Sequence, residues 1–255
     1  MPLFDRYIGI DYSGAQTSTS SLNGLRIYLA DQSAVPCEEW PPRNSHKYWT
    51  RLGIAKWLVT QVSGEKPLLV GIDHAFSFPV KYFERHRLQH DWPLFLEDFQ
   101  HHWPTDNTKT SVESLRERNV RTGDPSWFRL TEQWTASAKS VFQFDVQGQV
   151  AKSTHAGLPW LRHLRNECKG RIHFWPFDGW EIPHGCSVIA EVYPSLWMKR
   201  FPVEDRNVDQ HAAYAAAAWL QRADREGSLP GFFKPLLEPQ ERAKAGIEGW
   251  ILGVR

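Results

Sequence analysis

The chain of 255 residues has only three cysteines, Cys37, Cys168 and Cys186. An odd, widely spaced set makes no disulfide framework, so a reducing compartment is expected. Long apolar runs are missing too. Nothing approaches the roughly 18–20 residues that a membrane-crossing helix needs. The opening residues, MPLFDRYIGID, have no basic segment followed by an apolar stretch and a cleavage site, so no signal peptide is expected and the location reads as cytoplasmic. Excess charge of either sign is absent: 30 basic and 29 acidic residues leave a formal net charge of +1. That balance excludes the broad basic footprint of a non-specific duplex binder, although a local basic groove remains compatible with it. Internal repeats and low-complexity tracts are also lacking. Tryptophan, by contrast, is plentiful, at 13 residues. Large aromatics usually build core, with base stacking or sugar contact as the lesser use.

Acidic residues placed at the ends of short apolar runs carry the most information. They occur in YIGIDYSGA, LLVGIDHAF and SVIAEVYPSLW, and in VDQHAAYAAAAWL an acid opens an alanine-rich helix. The residues are Asp11, Asp73, Glu191 and Asp209. Runs this short read as buried strands rather than amphipathic helices. A carboxylate at a buried strand end is costly unless it is paired or binds a cation. Several of them, far apart in sequence, suggest one shared reason, and a divalent metal site is the obvious candidate.

Strands are expected over 6–11, 24–30 and 34–40, the last stopped by Pro41-Pro42, as an antiparallel meander. A helix is expected from Ser45, as N-cap, to about Val62, and a strand over 68–73. Residues 76–180 read as a large, mostly helical insertion within a single domain spanning 1–255. Inside it, 91–102 reads as a helix, 107–121 as exposed, Pro159 as the start of a short helix to about Cys168, and 171–175 as a strand. A strand over 187–193 and a helix over 209–226 follow.

The order β-β-β-α-β, then a further strand and helix with acidic ends, resembles the ribonuclease H-like fold. The motifs GIDYSGA, GIDHAFSFP, SVFQFDVQGQVAKSTHAGLPWLRHLR, EVYPSLW, DQHAAYAAAAWL and EGWILGV resemble the domain of unknown function 429 family within that fold, over nearly the whole chain. The resemblance implies an α/β mixed sheet flanked by helices and a predicted metal-dependent nuclease. Asp11 matches the acid on the first strand of such nucleases and Asp73 the acid after the fourth. The family pattern has a second Asp where this chain has Ala212, which removes one potential ligand.

Hydrolysis of a phosphodiester needs charge neutralised on the phosphate and a nucleophilic water, both of which Mg²⁺ or Mn²⁺ supplies. Asp11, Asp73, Glu191 and Asp209 are the expected metal ligands, and His74 the residue expected to orient a water or protonate a leaving group. Against these stand ordinary roles: a cap or turn acid for Asp11, Asp73 and Asp209, a salt bridge to Lys199 or Arg200 for Glu191, a packed ring for His74. Ser13 and Gly14 make a small-residue turn whose N–H groups suit a phosphate. Lys152 and His155, in the polar stretch KSTHAG, are further candidates for substrate phosphate. Cys168, His173, His184 and Cys186 have a zinc-like composition, but their spacing fits no common zinc template. The expected partner is nucleic acid in a local groove, with no membrane. Two rivals remain: an actin-like kinase or ATP-hydrolysing phosphotransferase, which shares the Asp-x-x-Gly turn, and a non-catalytic binding module that has kept the fold.

Overall fold

A computed structural model describes residues 2–64, 66–135, 137–146 and 150–255. In chain order the described elements are β1 (Arg6–Tyr12), β2 (Leu25–Asp31), β3 (Cys37–Glu39), α1 (Arg51–Val62), β4 (Leu68–Asp73), α2 (Val80–His86), α3 (Trp92–His102), α4 (Val112–Arg116) and α5 (Leu130–Gln133). There follow α6 (Ala151–Glu167), β5 (Ile172–Trp175), β6 (Ser187–Glu191), α7 (Val208–Arg225), α8 (Leu229–Phe233) and α9 (Pro239–Glu248). The strands form one mixed sheet in the order β3-β2-β1-β4-β6-β5. β1, β2 and β3 pair antiparallel, and β1, β4, β6 and β5 pair parallel. No helix among the described residues is long and apolar enough to cross a membrane.

Alternation along each strand divides the core into two layers. Ile8, Ile10 and Tyr12 of β1, with Val70 and Ile72 of β4, face a layer built with Ile54 and Leu58 of α1, Leu161 and Leu164 of α6, and a dense aromatic group from α2 and α3. Tyr7 and Leu69, with Val188 and Ala190 of β6, face the other layer, under Ala216, Leu220 and Ala223 of α7 and the segment Trp250–Val254. Gly9 lies in register between Tyr28 and Gly71. A Cβ at Gly9 would fall 2.2 Å from the Ala213 carbonyl oxygen and 2.5 Å from the Ala217 nitrogen. The alanine stripe of α7 therefore lies on a bare patch of sheet, and that close approach aims the helix's first turn at the carboxyl end of β1.

Several boundaries differ from the sequence expectation. Thr50, not Ser45, caps α1: its hydroxyl accepts the Gly53 N–H at 2.9 Å. Ser45 instead donates to the Pro42 carbonyl, 2.6 Å away, and the Trp49 indole donates to Glu39 O at 2.8 Å, so 42–49 is an irregular ledge along the sheet edge. α6 begins at Ala151 and contains Pro159 rather than starting there. Proline removes the helical donor for the carbonyl four residues back. That carbonyl, His155 O, accepts from the Thr105 hydroxyl at 2.8 Å instead, which is why the helix tolerates the proline. The strand expected inside the insertion is β5, and it joins the main sheet as its edge beside β6.

Candidate functional site

β1 and β4 carry the same tripeptide, and it lies in register across their parallel pairing: Gly9 opposite Gly71, Ile10 opposite Ile72, Asp11 opposite Asp73. Two carboxylates therefore leave the carboxyl ends of adjacent strands on the same face, a strand spacing of about 4.8 Å apart. On the other side of β1, Asp11 is opposite Arg26 of β2.

Asp11 is 4% exposed and accepts the Ser13 N–H at 2.9 Å. Burial pushes its pKa up to about 7. Hydrogen bonding to Ser13 and the charge of Arg26 pull the other way, and the charge of Asp209 adds to the rise. Asp73 is half-buried. Burial raises its pKa well above the usual carboxylate range, and the charges of Asp11 and Glu191 raise it more. Asp209 sits half-buried in the first turn of α7 and is raised by burial, against the pull of Arg26. It is not the cap: Asn207 is, accepting the Gln210 N–H at 2.9 Å. Charge therefore links Asp209 to Asp11, and both Asp11 and Glu191 to Asp73.

Glu191 differs from the other three. Its register partner is Ile72, so it leaves β6 on the opposite face from Asp73. There it takes a fork from Arg129, with Nη2 to Oε1 at 2.6 Å and Nη1 to Oε2 at 2.7 Å, and it accepts the Phe76 N–H at 3.2 Å. Arg129 is 1% exposed. Its Nε donates to Glu132 Oε1 at 2.9 Å and its Nη1 to the Glu248 carbonyl at 3.2 Å. Burial disfavours the guanidinium, but Glu191 and Glu132 outweigh it and hold Arg129 charged. The expected partner for Glu191 was Lys199 or Arg200. The actual one comes from a stretch where only the local capping arrangement with Glu132, three residues on, marks the position.

His74 is 1% exposed, its Nδ1 lies 2.8 Å from the Ala75 carbonyl, and burial lowers its pKa to about 4. The ring packs on Tyr12, centroid to centroid 4.8 Å, and against α6 at Gly157. It is neutral near pH 7, packs against the loop after β4 and lines a small cavity with Asp73, Arg129 and Glu191. The next residue, Ala75, gives its N–H to the Thr154 hydroxyl at 3.1 Å, a contact that the sequence did not suggest.

The expected phosphate contacts fare unevenly. The Ser13 N–H is taken by Asp11. Gly14 has φ +95° and its carbonyl accepts from Nη2 of the fully buried Arg51, so this turn is held from within the protein. Lys152 pairs with Glu113 and, with Gln16 and Thr17, lines an open depression of about 480 Å³ beside the β1 turn. His155 has no accessible surface. It is caged by Phe78, Phe99, Trp103 and Phe144, and burial lowers its pKa to about 3. The polar stretch KSTHAG is the largely buried start of α6, and its polar groups bond to backbone: the Ser153 hydroxyl to Val150 O and His155 Nδ1 to Ala151 O. His155 is therefore out of a substrate's reach.

Among the described residues, no group of three or more His, Cys, Asp or Glu side chains is arranged to hold a metal ion. A hard cation that keeps most of its waters needs only one or two carboxylates. Asp11 and Asp73 fit that lesser demand. Glu191, with both oxygens engaged by Arg129, does not add to it. Comparison with protein-family models, curated proteins and solved structures returns no match for this chain.

Proposed function

We propose that this protein hydrolyses phosphodiester bonds in nucleic acid with a single Mg²⁺ or Mn²⁺ ion held between Asp11 and Asp73. The observation that carries this reading is the in-register pair itself: two carboxylates without a salt-bridge partner among the described residues, side by side at neighbouring strand ends, each pushed toward its protonated form chiefly by its own burial. Structural acids are normally offset by a fixed cation or several N–H donors, as Glu191 is here. Asp11 has only the Ser13 N–H and the charge of Arg26, which is itself paired with Glu38, and Asp73 has no salt bridge among the described residues. The strand order and directions, with three antiparallel strands followed by parallel ones, support a ribonuclease H-like sheet.

In this reading a bound cation supplies Lewis acidity and lowers the pKa of a coordinated water. The protein supplies the rest. Asp11 and Asp73 fix the place of positive charge. Asp209, at the rim, keeps the local field negative, while Arg26 holds one fixed positive charge beside Asp11. Arg129 locks Glu191 and, through it, the Phe76 N–H, so that the loop after Asp73 keeps its shape. Neutral His74 packs beneath the same loop.

Mn²⁺ titration by calorimetry at pH 8, alongside cleavage of labelled single-stranded DNA and RNA, tests the proposal. Wild type should bind close to one ion per chain and cleave only with Mn²⁺ or Mg²⁺ present. Asp73→Asn should lose both. Absence of Mn²⁺ binding in the folded wild type overturns the site, and binding without cleavage of any nucleic acid overturns the reaction. ATP hydrolysis by the same samples, abolished in Asp73→Asn, would favour the phosphotransferase reading, for which the depression beside the β1 turn offers space.

A further inference from the structure

The row of register partners that contains the two carboxylates continues to the other edge of the sheet. Asp73 is opposite Asp11, and Asp11 opposite Arg26. Ile27 is opposite Glu39, so the next step along β2 and β3 sets Arg26 beside Trp40. Two strand spacings, roughly 10 Å, separate the backbones at Asp11 and Trp40. A tryptophan at this place is expected to seek cover. Instead Trp40 is 54% exposed.

The Arg26 guanidinium lies 5.6 Å from the Trp40 ring centre and 4.8 Å from that of Tyr48, and Lys47 Nζ lies 5.1 Å from Tyr48. The connecting segment, 41–47, contributes Arg43, His46 and Lys47, all exposed, and contains no acid. Among the described residues no carboxylate pairs with any of the three. Arg26 itself is held by Glu38 at 2.9 Å, so the aromatic pair stands on a fixed base. An exposed indole, the uncompensated cations Arg43 and Lys47 and a fixed support, in line with the carboxylates, are the parts of a base-stacking platform that also tracks phosphates.

We propose that Trp40, flanked by Arg43, His46 and Lys47, is a stacking subsite for single-stranded nucleic acid that leads to the Asp11–Asp73 pair. The proposal rests on the hydrolytic reading above for its substrate class, but its test does not depend on catalysis. A duplex cannot use the platform, because its bases already stack on one another. The chain's near-zero net charge fits a short, local contact of this kind rather than a long electrostatic track.

Binding of a labelled oligothymidylate is measured by fluorescence anisotropy in EDTA, with Asp73→Asn as the host so that nothing is cleaved. Trp40→Ala should weaken binding roughly ten-fold and Trp40→Phe much less, since stacking on an aromatic face is worth about 1–3 kcal/mol per base. Lys47→Ala should flatten the dependence of log K on log salt by about 0.7. The matching duplex should bind more weakly than the single strand. Thermal melts confirm that each variant is folded; if Trp40→Ala is not, the contrast of Trp40→Phe with Trp40→Leu replaces it. Equal affinity for wild type and Trp40→Ala, or duplex binding as tight as single-strand binding, overturns the subsite. So does a dimer that Trp40→Ala abolishes while oligonucleotide affinity stays unchanged. Oligonucleotide binding through Trp40 without any Mn²⁺-dependent cleavage would keep the subsite and remove the reaction; cleavage indifferent to Trp40 would do the reverse.

Discussion

At the scale of single residues, Asp11 and His74 pull the pH dependence of stability in opposite directions. Asp11 has its pKa raised to about 7, so between about pH 4 and 7 the folded chain keeps a proton that the unfolded chain has lost. Its contribution is fully present below pH 4 and is lost as pH rises through 7. His74 is lowered to about 4, so its contribution is present above pH 6.5 and is lost as pH falls through 4. A wild-type curve alone would blur the two. The difference between Asp11→Asn and wild type, both in EDTA, isolates the first. Asparagine can still accept the Ser13 N–H, and it carries no charge. The variant should gain on wild type as pH rises from 5 toward 7 and keep that gain at pH 8. Urea unfolding at pH 5 and pH 8 checks this; a gap that narrows toward pH 8 would mean that Asp11 is stabilised as a carboxylate. Mn²⁺ should narrow the gap from the wild-type side, because a ligand bound only by the folded form adds to its stability.

At the scale of elements, α6 shows where local preference and packing disagree. Gly157 lies inside a helix, where alanine is favoured by about 0.5–1 kcal/mol. A Cβ there would sit 2.4 Å from His74 Nε2. Gly157→Ala should therefore destabilise the protein, by roughly 1–3 kcal/mol, and the same change in a His74→Ala background should be neutral or stabilising. A double-mutant cycle by denaturant melts reads the coupling. The same element explains what could be read from the sequence and what could not. The buried strands at YIGID, LLVGID and SVIAE, and the alanine-rich α7, show through their composition, because their neighbours on both faces are apolar and the residue types say so. α6 does not. KSTHAG reads as a polar stretch and Pro159 as the start of a short helix; that the helix runs on through the proline depends on Thr105, 50 residues upstream of the carbonyl it satisfies. Likewise the acids of the site are legible at strand ends, whereas Arg129 is not. Nothing within its own stretch of chain announces that it will meet Glu191, 62 residues on.

For the whole molecule, Arg129 is the joint between three distant parts. It ties the helical stretch after β4 to the end of β6 through Glu191, and to α9 through the Glu248 carbonyl. Glu248 repays the contact by accepting the Val80 N–H at 2.7 Å and the Leu130 N–H at 2.6 Å. Arg129→Met removes the only guanidinium that faces Glu191 and Glu132 among the described residues and leaves both carboxylates buried. A loss of about 3–5 kcal/mol is expected, with partial recovery when Glu191→Gln and Glu132→Gln are added. Equilibrium unfolding in urea measures both; a loss below about 1 kcal/mol would mean that water reaches the network. The strand pairings add a consequence of their own. β1 meets β4 some 60 residues later, β4 meets β6 after nearly 120 more, and Leu252 N–H closes on the Glu191 carbonyl at 2.9 Å. During synthesis β1 can therefore pair with β2 well before β4 exists. Asp11 meets Asp73 only when β4 arrives, and Glu191 gains its last backbone contact only when residues 248–252 have been made. The Asp11–Asp73 pair can thus form long before Arg129 and Glu191 lock the loop behind it, a step that needs nearly the whole chain.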